Sequence, residues 1–276
     1  MKKIKYDLIF SMGEACFCAD MLRKFGLRIF SAPFDWMAGA NLSDRFQIFL
    51  NDFEGFIEKQ DFVYIDKRYN PLPRDIYKNT QTGITFNHDF PMDGNFEETF
   101  YDVQKKYHHR INRLLKTIRQ EKNVLIVYIE QPFSPMQQPN IDEIIALLEK
   151  ANAKYPDTNI DLLYIKHNIE MKSGEYTLEH PHKNLHFATC NNRNKKPHEV
   201  TDGNHQNTHK ILRHFAVKKD FGYYKKSFIL FAKYLPAKIF SIKTKINETH
   251  LTILGAHINL TKRKNKILKM FGIKNK

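Results

Sequence analysis

The chain has 276 residues, of which 42% are hydrophobic and 13% aromatic, a composition typical of a folded globular protein and not of a disordered one. Three cysteines do not make a disulfide framework, and no run approaches the about 18 apolar residues that span a membrane. The first apolar run ends at Phe10, which is too short for the core of a signal peptide, so we expect a cytoplasmic protein.

The net charge of +14 is concentrated in the last part of the chain. Residues 218–276 contain 15 Lys or Arg residues and only two acidic residues, whereas the first 217 residues are nearly neutral. We therefore expect a domain at 1–217 and a basic C-terminal extension at 218–276. Lysines interleaved with apolar residues favour contact between this extension and an anionic membrane surface, which predicts peripheral attachment to such a surface. A solvated extension is the alternative, and no specific nucleic acid is expected.

In chain order, a short strand at 6–10 leads into a helix expected at 14–25. Helical spacing predicts that the helix buries a stripe formed by Cys18, Met21, Leu22 and Phe25. Cys16 lies off this stripe, in the first turn, where unpaired N–H groups and the helix dipole favour a thiolate. The pattern predicts that Cys16 is a nucleophile, with a small buried residue as the alternative.

The next motif is an acid in an aromatic setting, Ser31-Ala-Pro-Phe-Asp35-Trp36-Met37. Proline disfavours helix at the residue before it, so this run is expected to be a turn or an extended segment. Asp35 is predicted either to orient a catalytic histidine or to cap a helix that begins near Met37.

Residues 66–95 are polar and rich in Pro and Gly, which predicts a long loop with one short strand at 84–86. That strand leads into His88 and Asp89. A histidine beside an acid at a strand end is a candidate general base, although adjacent residues of a strand point to opposite faces. A hydrogen-bonded turn histidine is the alternative.

The remaining pattern alternates helices with apolar strands, namely helices 96–121 and 141–153 and strands 124–129, 160–165 and 185–189. This alternation predicts an α/β fold with a layered, mostly parallel sheet and flanking helices. Ligands on such sheets bind at the carboxyl ends of the strands, and Cys16 follows the first strand.

A second candidate site depends on Asp202-Gly203-Asn204-His205, which precedes a terminal helix. This order resembles the acid and base of SGNH hydrolases, a family that also has a nucleophilic serine after its first strand. Ser11 occupies that position here. The resemblance implies an alternative esterase that uses Ser11, Asp202 and His205.

Several motifs together resemble the bacterial DUF1796 family, which is described as papain-like cysteine peptidases. The matching motifs are Phe10-Ser11-Met12-Gly13 with Cys16, Gly26-Leu27-Arg28, Ser31-x-Pro33-Phe34-Asp35-Trp36 and His88-Asp89-Phe90. The resemblance covers about residues 6–130. It implies a hydrolase or acyltransferase in which Cys16 is the nucleophile and His88 the base, with Asp35 and Asp89 as acids that orient the base.

The extension resembles the ends of proteins encoded with bacterial surface-polysaccharide genes, through Lys233-Tyr-Leu-Pro-Ala-Lys238 and the alternation around Gly255. That alternation predicts a small β-hairpin. The resemblance implies a role in a surface-polysaccharide pathway, and it leaves open a glycosyltransferase-like or non-catalytic protein held at the inner membrane. The substrate class stays open between peptide, acyl and glycan. No cofactor or metal is expected, because G-x-G-x-x-G and P-loop motifs are absent and Cys16-x-Cys18 lacks a second ligand pair.

Overall fold

The computed structural model describes residues 3–69, 72–132, 134–193 and 205–218, and the backbone of 240–245, 248–253 and 256–259. The chain divides into two compact units, Met1–Lys218 and Lys219–Lys276. Within the described residues the first unit is a mixed α/β domain and the second is a small antiparallel sheet. The predicted α/β class is therefore confirmed.

The first unit contains five described helices and eleven described strands. The helices are α1 (Cys16–Lys24), α2 (Leu42–Leu50), α3 (Phe96–Gln120), α4 (Ile141–Lys154) and α5 (His205–Leu212). The strands are β1 (Ile4–Tyr6), β2 (Leu8–Ser11), β3 (Met37–Ala38), β4 (Phe62–Arg68), β5 (Arg74–Asn79), β6 (Thr85–Pro91), β7 (Asn123–Ile129), β8 (Asn159–His167), β9 (Tyr176–His182), β10 (Leu185–Cys190) and β11 (Phe215–Val217). The strands of the second unit are β12 (Phe240–Lys245), β13 (Glu248–Ile253) and β14 (Ala256–Asn259).

The central sheet has the parallel arrangement that the apolar runs predict. Its strand order is β2-β7-β8-β10-β9, and only the edge strand β9 is antiparallel. The run from Val124 to Ile129 in β7 is completely buried, as expected for a strand covered on both faces. β1 pairs in parallel with β11 and not with this sheet.

A second sheet, with the order β3-β6-β5-β4, is entirely antiparallel. The described sheets taken together are therefore mixed, and the predicted mostly parallel arrangement holds for the central sheet alone. The prediction of a long loop at 66–95 was wrong, because most of these residues form β5, β6 and the end of β4. These strands are polar because aromatic residues anchor the sheet to α3 at only a few points. Phe62 packs against Phe100 at a centroid distance of 5.0 Å, and Phe86 packs against Tyr107 at 5.4 Å.

Gly13 shapes the turn that joins β2 to α1. A Cβ atom at Gly13 would lie 2.2 Å from the Cβ atom of Cys18, so the chain can pass over Cys18 only because this position is a glycine. The helix begins at Cys16, two residues later than the sequence predicts. The predicted stripe is confirmed for Cys18, Met21 and Leu22, which are fully buried.

The second unit is a three-stranded antiparallel sheet in the order β12-β13-β14. β13 and β14 flank residues 254–255, which confirms the hairpin predicted around Gly255. Among the residues that the structure describes, no helix is both long and apolar enough to cross a membrane.

Gly13→Ala is expected to lower the free energy of unfolding by about 1–3 kcal/mol, because the new methyl group would overlap the Cys18 side chain. Urea unfolding of the purified protein measures the change. Gly94→Ala is the matched control, since its Cβ atom would lie 3.1 Å from the nearest atom, the Pro91 carbonyl oxygen, and a smaller loss is expected. An unchanged unfolding midpoint for Gly13→Ala would contradict the packing argument.

Candidate active site

Cys16 differs from the other two cysteines in its exposure. It is the first residue of α1 and is partly exposed, whereas Cys18 and Cys190 are fully buried. Burial raises the pKa of each of these two thiols to about 12. The Cys18 thiol also donates a hydrogen bond to the Val127 carbonyl oxygen at 3.4 Å. Cys16 is therefore the one cysteine whose surroundings allow a reagent to approach.

The turn before α1 is held by Arg45, whose side chain is completely buried. Its Nη2 atom donates to the carbonyl oxygens of Glu14 at 3.2 Å and Gly39 at 2.6 Å, and its Nε atom donates to that of Ala40 at 3.2 Å. The Glu14 carboxylate in turn accepts a hydrogen bond from the Gln131 N–H at 3.1 Å, and burial raises the pKa of Glu14. This turn is therefore tied both to α2 and to the carboxyl end of β7.

A polar network that the sequence did not predict continues along the carboxyl ends of the central strands. Glu130, just after β7, accepts hydrogen bonds from the Tyr164 hydroxyl and from the His167 N–H. Asn192, just after β10, donates its side-chain N–H to the Glu130 carbonyl and its backbone N–H to His167 Nδ1, each at 3.0 Å. The signal in the sequence is that Glu130 and Asn192 lie within two residues of the ends of buried strands.

Asp35 is fully buried and accepts hydrogen bonds from the Arg28 guanidinium and from the Ala32 N–H. Among the described residues, its second carboxylate oxygen has no hydrogen-bond partner. Burial raises the pKa of Asp35 to about 6, and the charge of Arg28 offsets only part of this rise. The predicted helix cap was wrong, because the next residues form β3 and the N-cap of α2 is Asn41.

His88 lies in β6 between a cation and an aromatic ring. The Nη2 atom of Arg68 is 3.1 Å from His88 Nδ1, and the Trp36 ring packs edge-on at a centroid distance of 6.1 Å. A guanidinium group can only donate, so Nδ1 accepts and the neutral ring carries its proton on Nε2. Burial lowers the pKa of His88, and the Arg68 charge lowers it further, which keeps the ring neutral near neutral pH.

Asp89 contacts α3 and not His88. Lys106 forms an ion pair with its carboxylate, and the Tyr107 hydroxyl donates to it at 2.9 Å. The opposite orientation of these neighbouring residues follows from the two-residue period of a strand. Asp89 acts on His88 only through its charge, which partly counters the fall in the His88 pKa.

Three of the four predicted site residues, Asp35, His88 and Asp89, lie near one another. Arg28 pairs with Asp35 and lies 5.4 Å from the Trp36 ring, which packs against His88. Asp89 is the next residue of the same strand. The pairing of Cys16 with His88 stays a prediction. Within the described part of the chain, no group of His, Cys, Asp and Glu residues could hold a metal ion.

The alternative site loses its accessible nucleophile. Ser11 is fully buried, and its hydroxyl oxygen accepts a hydrogen bond from the Gly13 N–H at 3.2 Å. A hydroxyl without exposed surface is not accessible to a substrate carbonyl in this structure. Asp202 lies outside the described residues, and of His205 the structure describes only that it begins α5.

The fold and this site define an α/β protein with a partly exposed cysteine at the start of its first helix. The model of the DUF1796 family, described as "Putative papain-like cysteine peptidase (DUF1796)", matches residues 7–169. The chain therefore belongs to this family, and the match includes Cys16, Asp35, His88 and Asp89.

One curated relative is "Uncharacterized protein R408" of Acanthamoeba polyphaga mimivirus, which is 26% identical over 187 residues. The alignment covers 60% of this chain and 80% of the viral protein. No solved structure matches the chain. Because this relative is viral, the comparisons do not confirm the expected restriction to bacteria.

Asp35→Asn tests the burial of this carboxyl group through the pH dependence of stability. A raised folded-state pKa means that the carboxyl contributes its full stability below its unfolded pKa near 4 and loses it as the pH rises through about 6. The variant lacks this titration, so wild type should lose roughly 1–3 kcal/mol relative to the variant between about pH 4 and about pH 7.

Urea unfolding of both proteins across this range measures the effect, with the exposed Asp102→Asn as control. If wild type instead gains stability relative to Asp35→Asn over the same range, the ion pair with Arg28 outweighs the desolvation of the carboxylate.

Proposed function

We propose that the protein is a cysteine-dependent hydrolase or acyltransferase with Cys16 as nucleophile and His88 as acid–base residue. The observation that carries this proposal is that Cys16 begins α1 at the carboxyl end of β2, and is the one cysteine that is partly exposed. Membership of a family described as papain-like cysteine peptidases supports thiol chemistry. Ester, amide and thioester carbonyls are the substrates that such a thiolate attacks.

The start of α1 supplies more than the nucleophile. As Cys16 Sγ bonds to the carbonyl carbon, the electron pair of the C=O bond moves to oxygen and forms an oxyanion. The dipole of α1 is positive at this end of the helix and stabilises such an anion. The oxyanion then collapses and expels the alcohol, amine or thiol, which leaves an acyl group on Cys16. Water or a second acceptor releases that group.

His88 has the protonation that a proton shuttle needs near neutral pH. Its lowered pKa keeps the ring neutral, and the Arg68 contact directs the proton to Nε2. To take the proton from Cys16, the ring must present a nitrogen lone pair, so the Arg68 contact has to break or the proton has to move between the two nitrogens. The imidazolium formed in this step then protonates the leaving group.

Alkylation by iodoacetamide tests the nucleophile. Near neutral pH, Cys16 is expected to react much faster than Cys18 or Cys190, because these two are buried and their raised pKa leaves almost no thiolate. Peptide mass spectrometry of the native protein measures the three rates, and the urea-unfolded protein is the control in which they should converge. Equal rates in the native protein would rule out the proposed nucleophile.

The pH profile of Cys16 alkylation tests the base. Replacing the histidine that pairs with Cys16 should shift the profile to higher pH, because the imidazolium no longer stabilises the thiolate. His88→Gln should cause this shift and His205→Gln should not. The reverse result would assign the base to His205 and remove His88 from the proposed mechanism.

We also propose that the basic extension attaches the protein reversibly to anionic membranes. Its excess of Lys and Arg supports this, since each basic residue near such a surface contributes about 1 kcal/mol. Apolar residues among the lysines would add to the attachment if they leave water, as in peripheral proteins that lie on the membrane surface.

Sedimentation with anionic liposomes tests the extension. Full-length protein should sediment at low salt and be released at high salt, and protein without residues 218–276 should stay in solution. Liposomes of neutral lipids are the control. Full-length protein that ignores anionic liposomes at low salt would refute the membrane role.

A further inference from the structure

Two arginines face each other across β4 and β5. Arg68 and Arg74 are register partners of this antiparallel pair, so their side chains leave the same face of the sheet. Like charges directly opposite each other destabilise a strand pair unless something of opposite charge lies between them. Both arginines also act on His88. Arg68 contacts its ring, Arg74 donates to its carbonyl oxygen at 3.2 Å, and both charges lower the pKa of its ring.

The two carboxylates predicted to act on His88 already have cationic partners. Asp35 pairs with Arg28, and Asp89 pairs with Lys106. Within the described residues, neither Arg68 nor Arg74 forms an ion pair with a carboxylate, and the buried Nε atom of Arg68 has no hydrogen-bond partner. A buried donor without an acceptor costs free energy, so the two arginines lack an acceptor that would stabilise them.

The side chains of Arg68, Arg74 and His88 offer donors and no acceptor to a ligand. The two guanidinium groups cannot accept hydrogen bonds, and the contact with Arg68 leaves His88 with its proton on Nε2. The described contacts include no acceptor for that Nε2–H. The partner that completes such a set is an anion with several oxygen atoms. Two guanidinium charges match the charge of about −1.5 to −2 that a phosphate monoester carries at neutral pH, and exceed that of a carboxylate.

We propose that Arg68, Arg74 and the Nε2–H of His88 form a binding site for a phosphate group. The guanidinium groups supply charge and paired donors, and the histidine supplies a third donor fixed by its tautomer. This site shares His88 with the proposed thiol chemistry but goes beyond it, because no step of the binding uses Cys16. It would bind a phosphate ester on a larger ligand or free phosphate by the same contacts.

Trp36 provides the measurement, since it is the single tryptophan of the chain and packs against His88. Titration with inorganic phosphate at constant ionic strength should change tryptophan fluorescence in a saturable way. Glycerol phosphate in a second titration distinguishes an ester from the free anion: tighter binding of the ester assigns the site to a phosphorylated ligand. Acetate should bind at least about tenfold more weakly than phosphate. Acetate that binds as well as phosphate would overturn the assignment.

Single charge deletions test the residues. Arg68→Gln and Arg74→Gln should each weaken phosphate binding by about tenfold or more. Arg119→Gln removes the same charge from an exposed position on α3 and should leave binding unchanged. No saturable response in wild type, or equal affinity in all three variants, would overturn the site.

Two further variants separate this site from folding defects and from the thiol chemistry. Arg68→Lys keeps the charge but not the forked donors, so a folded Lys variant should recover part of the affinity lost in Arg68→Gln. A Lys variant that recovers all of the lost phosphate affinity, or none of it, would contradict recognition by the forked donors of arginine. Cys16→Ser should bind phosphate as wild type does, even if thiol reactivity proves unrelated to function. A loss of phosphate binding in Cys16→Ser would contradict a phosphate site in which Cys16 has no part.

Discussion

The buried guanidinium of Arg45 is the constraint on which the region around Cys16 depends. Burial lowers the pKa of Arg45 to about 10, so the group stays charged near neutral pH and its removal from water has to be offset. Carbonyl oxygens of Glu14, Gly39 and Ala40 provide that compensation. Gly39 and Ala40 have φ values of 76° and 58°, and this left-handed pair lies directly before α2. One side chain of α2 therefore fixes the entrances of both α1 and α2, and α1 has no side-chain cap of its own.

The central strands could be predicted because a strand covered on both faces needs a continuous apolar run. Strand β4 could not be predicted, because it is not covered on both faces and has no such pattern. After Phe62 it exposes Val63, Tyr64 and Ile65 in succession, so no alternation marks a buried face. Its place in the sheet depends on pairing with β5 and on the single buried ring of Phe62. A strand anchored by one residue leaves almost no local signal, and Gly and Pro nearby favour the interpretation as a loop.

The position of Cys16 followed from the sequence because a strand end and a helix start are local features. The contact between His88 and Arg68 could not be predicted, because His88 lies in β6 and Arg68 in β4. These strands are separated in the sheet by β5, and the arginine side chain extends across it. Asp35 was recognisable as an acid in an aromatic setting, but its burial and its pairing with Arg28 depend on how the segment after α1 folds back. The tautomer of His88 is likewise a property of the fold, and it decides which proton transfers the ring can make.

β1 and β11 join the two ends of the first unit, since residues 4–6 pair with residues 215–217. The hydroxyl of Tyr6 also donates to Asp161 at 2.6 Å and lies 2.7 Å from His186 Nε2, so this strand contacts three late segments of the chain. Contacts between such distant residues form only after a large loss of chain entropy, which makes this edge of the domain slow to complete. On the ribosome, the first strand must wait while roughly 200 further residues are synthesised. A nascent chain that stops before β11 therefore leaves β1 without its partner, as an open edge available for intermolecular pairing and aggregation.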